Sequence, residues 1–190
     1  DDTPYIAMEL ITGRSLDRLP LPLQGDVLKE MLLAILDALG HAHARGILHR
    51  DLKPGNILQA EGDPIRQGLV LSDFGLARAF QKIPENMGFL GAGTPAYMAP
   101  EQIDRRWRDQ GPWTDLYALG CMAWQLATGN LPYDAPNPIE VARMQKEASL
   151  PEFRGIGFPS GFEEWLFRML AKQPEKRFQR AAEATEGLLE

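Results

Sequence analysis

Cysteine is almost missing from this chain. The one present, Cys121, cannot form an internal disulfide, and a lone thiol fits a reducing compartment such as the cytoplasm. Long apolar runs are missing too. The best, Leu116–Trp124, stops at Gln125, well short of the ~20 residues a bilayer needs. No basic stretch precedes an apolar one near the start, so neither a signal peptide nor a membrane contact is read in this segment. An excess of basic charge is lacking: 20 Lys and Arg face 26 Asp and Glu, for a net charge of −6. That balance excludes a general nucleic-acid binder. Hydrophobic residues make up 44% and charged ones 24%, which excludes intrinsic disorder and fits one globular domain of 190 residues. An initiator Met is lacking as well. The chain opens Asp1-Asp2-Thr3-Pro4 and runs straight into a strand candidate, Tyr5–Met8. It reads as the back part of something longer.

The order of elements is legible from periodicity and punctuation. Asp26 reads as an N-cap for a helix carrying Leu28, Met31, Leu32, Ile35, Leu36 and Leu39 and ending near Gly46. Short strands follow at Ile57–Gln59 and Leu69–Leu71, around a turn at Gly62-Asp63-Pro64. The stretch 76–112, punctuated by glycine and proline, reads as a long irregular segment, and such loops are usually functional. Thr114 then reads as the cap of a strongly apolar helix ended by Gly129. Further helices are expected near 138–148, 160–172 and 180–189. No internal repeat is visible.

Three clusters carry chemistry: His49-Arg50-Asp51-Leu52-Lys53-Pro54-Gly55-Asn56, then Asp73-Phe74-Gly75, then Gly93-Thr94-Pro95-Ala96-Tyr97-Met98-Ala99-Pro100-Glu101. Asp51 and Asn56 share a turn before an apolar strand, and Asp73 follows another. Hard oxygen ligands at two strand ends suit Mg²⁺, which takes one or two carboxylates plus phosphate and water. Lys53 adds a cation where phosphate charge could gather.

Taken together, the ordered motifs H-R-D-L-x-x-x-N, D-F-G and A-P-E resemble the protein-kinase signature set. The chain looks like the C-terminal lobe of a bacterial-type serine/threonine protein kinase over essentially its whole length. The resemblance implies an α+β, mainly α-helical fold with a small β-ribbon and the N-terminal lobe absent. Within residues 1–190 it implies a hinge strand and hinge over 1–12, the catalytic loop and metal-binding motif over 47–75, an activation segment over 73–101, and a helical subdomain over 113–190. It implies transfer of the γ-phosphoryl group of ATP, with Mg²⁺, to Ser or Thr of a protein substrate.

By the same resemblance Asp51 would be the catalytic base, Asn56 and Asp73 would hold Mg²⁺, and Lys53 would steady the transferring group. Thr94 would shape the acceptor site. At the adenine end, Met8 would be the gatekeeper, Glu9, Leu10 and Ile11 the hinge, Leu58 the floor of the pocket, and Ser15 a ribose contact. Asp115 would anchor the catalytic loop, Glu101 would pair with Arg177, and His49 would pack near Phe74. His41 and His43 read as filling on a helix, Cys121 as an inert core thiol, and residues 104–109 as a solvated face.

The chain also departs from the family pattern. A glycine-rich phosphate loop, a Val-Ala-Ile-Lys strand lysine and its partner glutamate helix belong to the N-terminal lobe and do not occur here. The 190 residues alone are therefore expected to be inactive, and a pseudokinase-like binding module is the alternative reading. A cleft without its upper wall would expose Met8, Leu10, Leu58 and Phe74, which predicts self-association. Phe74–Gly93 contains no Ser, Thr or Tyr, so loop phosphorylation is not expected to switch this kinase, and Glu85 would serve Arg50 or Arg78. Gly55 offers no charge for choosing basic substrates.

Overall fold

A computed structural model describes residues 9–60, 68–74 and 95–190. The strand expected at Tyr5–Met8 and the turn at Gly62-Asp63-Pro64 lie outside the described residues, as does all of 75–94. A short strand, β1 (Gly13–Ser15), leads into a 3-10 turn that buries Leu16. Helix α1 (Gly25–His43) comes next. Its apolar positions Leu28, Leu32, Ile35, Leu36 and Leu39 recur every three or four residues and are all buried, as the inner face of an amphipathic helix must be. The ribbon β2 (Ile57–Ala60) and β3 (Gly68–Leu71) follows. Helices α2 (Pro100–Ile103), α3 (Pro112–Thr128), α4 (Pro138–Glu147), α5 (Phe162–Met169) and α6 (Ala181–Leu189) complete the described order. The architecture is α+β and mainly helical, with one three-stranded sheet.

That sheet is antiparallel in the order β1-β2-β3, with Ser15 opposite Leu58 and Leu58 opposite Val70. β3 rests on α1. The core lies among the helices. Every residue from Thr114 to Trp124 on α3 is buried, so this helix is enclosed on all sides rather than amphipathic. α1 and α5 pack on α3, and α6 packs on α1 and α5. Gly120 permits the close approach of α5: a Cβ there would stand 2.9 Å from Met169 Cβ. An aromatic cluster of Phe153, Phe158, Phe162 and Trp165 closes the outer side of this layer. Among the described residues no helix is long and apolar enough to cross a membrane.

Several boundaries differ from the sequence reading. α1 begins at Gly25 with Gln24 as N-cap, and Asp26 sits in the first turn, where its charge favours the helix dipole. α1 ends at His43, and Gly46 turns the chain with φ 71°. α3 starts two residues before Thr114, because Pro112 is already suited to a first helical turn. Thr114 Oγ1 instead accepts the Gly111 N–H at 3.1 Å from inside the helix. Gly129 does end α3, at φ 78°, the left-handed cap glycine favours. The stretch 76–112 is more regular at its far end than expected. Pro100 opens α2, and Gln102 Oε1 accepts the Ala99 N–H at 3.1 Å. α5 is shorter than 160–172, ending at Met169.

Candidate active site

The loop between α1 and β2 is held from beneath by α3. Asp115, 1% exposed, accepts the backbone N–H of His49 on Oδ2 and that of Arg50 on Oδ1, each at 2.8 Å. His43 Nε2 meets the same Oδ2 at 2.8 Å. Arg50 takes φ 65°, a left-handed conformation rare outside glycine. On its far side, Gln102 Nε2 donates to the Arg50 carbonyl at 2.9 Å. Three elements, α3 through Asp115, α1 through His43 and α2 through Gln102, therefore fix the backbone just before Asp51.

Asp51 and its neighbours form a small polar cluster. Lys53 Nζ donates to Asp51 Oδ2 at 2.7 Å, and Asn56 Nδ2 donates to that oxygen at 3.1 Å and to the Asp51 carbonyl at 2.7 Å. One carboxylate oxygen is thus engaged, and Oδ1 has no partner among the described residues. Both side chains remain partly open to solvent, 28% for Lys53 and 20% for Asp51. Asn56 is 6% exposed, its Nδ2 is committed to Asp51, and its Oδ1 has no hydrogen-bond partner among the described residues.

Ser72 ties this loop to the second motif. Its N–H and hydroxyl donate to the Asn56 carbonyl at 2.9 and 3.2 Å, and the hydroxyl lies 3.3 Å from Asp73 Oδ2. Asp73 itself has φ 61° and is exposed. Among the described residues only Arg50, Asp73 and Arg105 are non-glycines at positive φ, and two of these three flank or form this cluster. Strained backbone at such a place is held by its surroundings.

His49 is fully buried, and its ring packs on Phe74 at 4.6 Å between centroids. Its Nδ1 accepts the Asp51 N–H at 3.4 Å. Burial pushes this imidazole below its ordinary value, against the weaker pull of the Asp115 and Asp51 carboxylates. It is a neutral spacer between Phe74 and the loop.

At the adenine end, Glu9 and Leu10 are exposed, Leu10 at 86%, and Ile11 is half-buried. Ser15 and Leu58 face each other in register, and the Ser15 hydroxyl donates to the Asp17 carboxylate. Leu58 and Phe74 are half-buried. Met8 and Thr94 lie outside the described residues, as do Arg78 and Glu85.

A second buried network stands behind the site. Arg177 donates from Nη1 and Nη2 to the two oxygens of Glu101 at 2.8 and 3.0 Å, with both side chains fully buried. The Thr114 hydroxyl donates to Glu101 Oε1 at 2.8 Å. Burial pushes the Cys121 thiol up to about 12, so it is an inert core group.

The sequence reading missed three residues here. His43 is a hydrogen-bond partner of Asp115, not filling. Its signal was present, since it continues the Leu36–Leu39 face of α1. Ser72 and Gln102 act mainly through hydrogen bonds to backbone, and no periodicity marks them.

The cluster can polarise a hydroxyl through Asp51 and hold hard cations through amide and carboxylate oxygens. The family description "Protein kinase domain" matches residues 1–187, and the chain belongs to that family. It is 37% identical over 179 residues to the serine/threonine-protein kinase Pkn1 of Myxococcus xanthus, covering 92% of this chain and 26% of that protein. It is 31% identical over 180 residues to the serine/threonine-protein kinase PknL of Mycobacterium tuberculosis, covering 92% of this chain and 44% of that one. A probable serine/threonine-protein kinase of Clostridium acetobutylicum is 31% identical over 194 residues, or 97% of this chain and 28% of its own length. The chain spans between a quarter and a half of these curated relatives. These relatives are named serine/threonine-protein kinases, and all three are bacterial.

Proposed function

We propose that this chain is the catalytic lobe of a serine/threonine protein kinase, moving the γ-phosphoryl group of ATP to Ser or Thr hydroxyls of a protein. One observation carries the reading: Asp51, Lys53 and Asn56 share a hydrogen-bonded cluster, and Ser72 ties that cluster to Asp73. The substrate hydroxyl oxygen bonds to the γ-phosphorus as the bond to the β,γ-bridging oxygen breaks, and ADP leaves. The hydroxyl proton passes to Oδ1 of Asp51 and on to solvent. Asn56 Nδ2 and Lys53 Nζ fix the carboxylate plane for that step. The Lys53 ammonium also faces the charge on the transferring group.

Mg²⁺ fits the donors available. Asn56 Oδ1 and the exposed Asp73 carboxylate are hard oxygens, too few for a protein cage and sufficient for an ion that keeps water and phosphate ligands. Bound there, it neutralises phosphate charge. Leu58 would line the adenine side, with Glu9 and Leu10 offering backbone at the hinge. The reaction needs a lysine–glutamate pair from an N-terminal lobe, so the 190 residues alone are read as inactive. The setting read for it is the cytoplasm.

The test is transfer from γ-labelled ATP by the full-length protein to Ser/Thr peptides, beside Asp51→Asn. Loss of a general base lowers the rate by about 10²–10⁴-fold, and that loss with unchanged ATP binding supports the reading. Nucleotide binding without transfer in the wild type would favour a partner-binding module.

A further inference from the structure

Gln145 lies near the end of α4 and is fully buried. A buried carboxamide must place two donors and an acceptor, and this one does so across three elements. Its Nε2 donates to the Ala96 carbonyl at 2.6 Å and to the Pro95 carbonyl at 3.3 Å. Its Oε1 accepts the Tyr117 hydroxyl at 2.5 Å, which sets which end of the amide faces the turn. Its own backbone carbonyl accepts from Lys172 Nζ at 2.7 Å. The side chain therefore joins α4, the central helix α3 and the 3-10 turn Pro95–Tyr97.

That turn begins one residue after Thr94 in the chain. It is closed by the Met98 N–H on the Pro95 carbonyl at 3.2 Å, and Ala96 and Met98 are nearly buried. At its other end the segment is bound to the catalytic loop through Gln102 Nε2 and the Arg50 carbonyl. Residues 95–102 are thus moored to the site's own backbone through Gln102, to Thr114 and Arg177 through Glu101, to α3 through the Tyr97 hydroxyl on Gln125 Oε1 at 2.6 Å, and to α4 through Gln145. Arg143 of α4 pairs with Glu140 and with Glu147 at the surface, and the buried Gln145 is a polar link from this helix to the turn.

We infer that Gln145 is a positioning residue for the protein substrate. It fixes the backbone beside which the peptide around the acceptor hydroxyl lies, and it touches neither ATP nor the transferring group. The inference rests on the kinase reading above. An apolar residue of equal length would take the amide donor from the Ala96 carbonyl and the nearer acceptor from the Tyr117 hydroxyl, while the Pro95 carbonyl keeps the Met98 N–H, and the turn would shift while the Asp51 cluster stays in place.

Full-length Gln145→Met and Tyr117→Phe are compared with wild type by steady-state kinetics and by amide hydrogen exchange. Gln145→Met should raise KM for a Ser/Thr peptide by about tenfold, with KM for ATP and kcat within about twofold. Tyr117→Phe, which frees the carboxamide to turn, should shift the peptide KM the same way by a smaller factor. Exchange at the amides of 96–99 should quicken in both, while α3 amides keep their protection. A fall in kcat with unchanged peptide KM, equal rises in both KM values, or unchanged exchange at 96–99 would each overturn the inference. If Gln145→Met does not fold, Tyr117→Phe decides by the same split. A wild-type protein that transfers nothing to any peptide would instead defeat the kinase reading, and the positioning role with it.

Discussion

Asp115 holds Arg50 in a left-handed backbone conformation: its Oδ1 accepts the Arg50 N–H at 2.8 Å while φ of Arg50 is 65°. A non-glycine residue there costs ~1–3 kcal/mol and persists only when its surroundings over-determine it. They do so here, through the His49 N–H on Oδ2 and Gln102 on the Arg50 carbonyl. The loop that bears Asp51 is therefore shaped by the central helix rather than by its own sequence.

Asp115→Asn tests that hold. An amide keeps one acceptor and turns its NH₂ toward a backbone N–H, so one buried donor loses its partner. The expected cost is ~1–3 kcal/mol. At this size that lowers Tm by roughly 2–4 °C per kcal/mol. Amide exchange at residues 49–51 should quicken, and transfer by the full-length protein should fall even where it stays folded. Thermal unfolding with unchanged Tm and unchanged exchange would show that the loop holds itself.

The Glu101–Arg177 pair gives a larger effect. Both side chains are fully buried, and Arg177 also donates to the carbonyls of Ala171 at 2.7 Å and Lys172 at 3.0 Å. Glu101→Met or Arg177→Met leaves a buried charge or its partners uncompensated, which costs ~3–5 kcal/mol. The double variant Glu101→Met/Arg177→Met removes both charges and should recover part of that loss. Recovery stays incomplete, because the carbonyls that Arg177 satisfied remain unpaired. Denaturant unfolding of the four proteins measures the coupling.

What the sequence made legible follows from the physics of each feature. Asp51, Lys53, Asn56 and Asp73 sit in short contiguous motifs, so their grouping needed only recognition, and α1 and α3 followed from apolar spacing. The Asp115 contacts cross 65 and 66 residues of chain, yet Asp115 was visible as the one acid opening an apolar helix. Gln145, Gln102 and Ser72 were not visible. Each acts through hydrogen bonds to backbone in a distant segment, and a lone polar residue in a helix or strand end looks the same whether it meets solvent or a carbonyl. Helix starts were misplaced for a related reason. At α3 the Pro112 first turn begins the helix without a side-chain cap, so Thr114 drew attention away from Gly111; at α1 the acidic first-turn residue Asp26 drew it away from Gln24.

Two glycines in helix interiors should respond in opposite senses. Ala is favoured over Gly in a helix by about 0.8–1.0 kcal/mol. At Gly40 a Cβ would meet nothing closer than Ala181 Cβ at 3.6 Å, so Gly40→Ala should stabilise by that amount. At Gly120 the new atom would sit 2.9 Å from Met169 Cβ and 3.1 Å from Leu170. Overpacking costs ~1–3 kcal/mol, so Gly120→Ala should destabilise on balance. Chemical denaturation of both variants reads the signs. A gain at both positions would show that α5 moves away from α3 at little cost.

The buried imidazole of His49 predicts a loss of stability in mild acid. Burial holds its folded pKa below the 6.5 of an exposed histidine. Below pH 6.5 the unfolded chain therefore takes up a proton that the folded chain refuses, and stability falls as pH drops until the folded pKa is passed. Above that window both states are neutral and the group adds no slope. His49→Phe keeps a ring against Phe74 and removes the titration, while His41, His43 and the carboxylates remain common to both proteins. Tm measured between pH 7.5 and 5 should thus fall more steeply in wild type than in His49→Phe. Parallel profiles would mean that the imidazole gains its proton without leaving the loop, through the Asp115 and Asp51 carboxylates that face it.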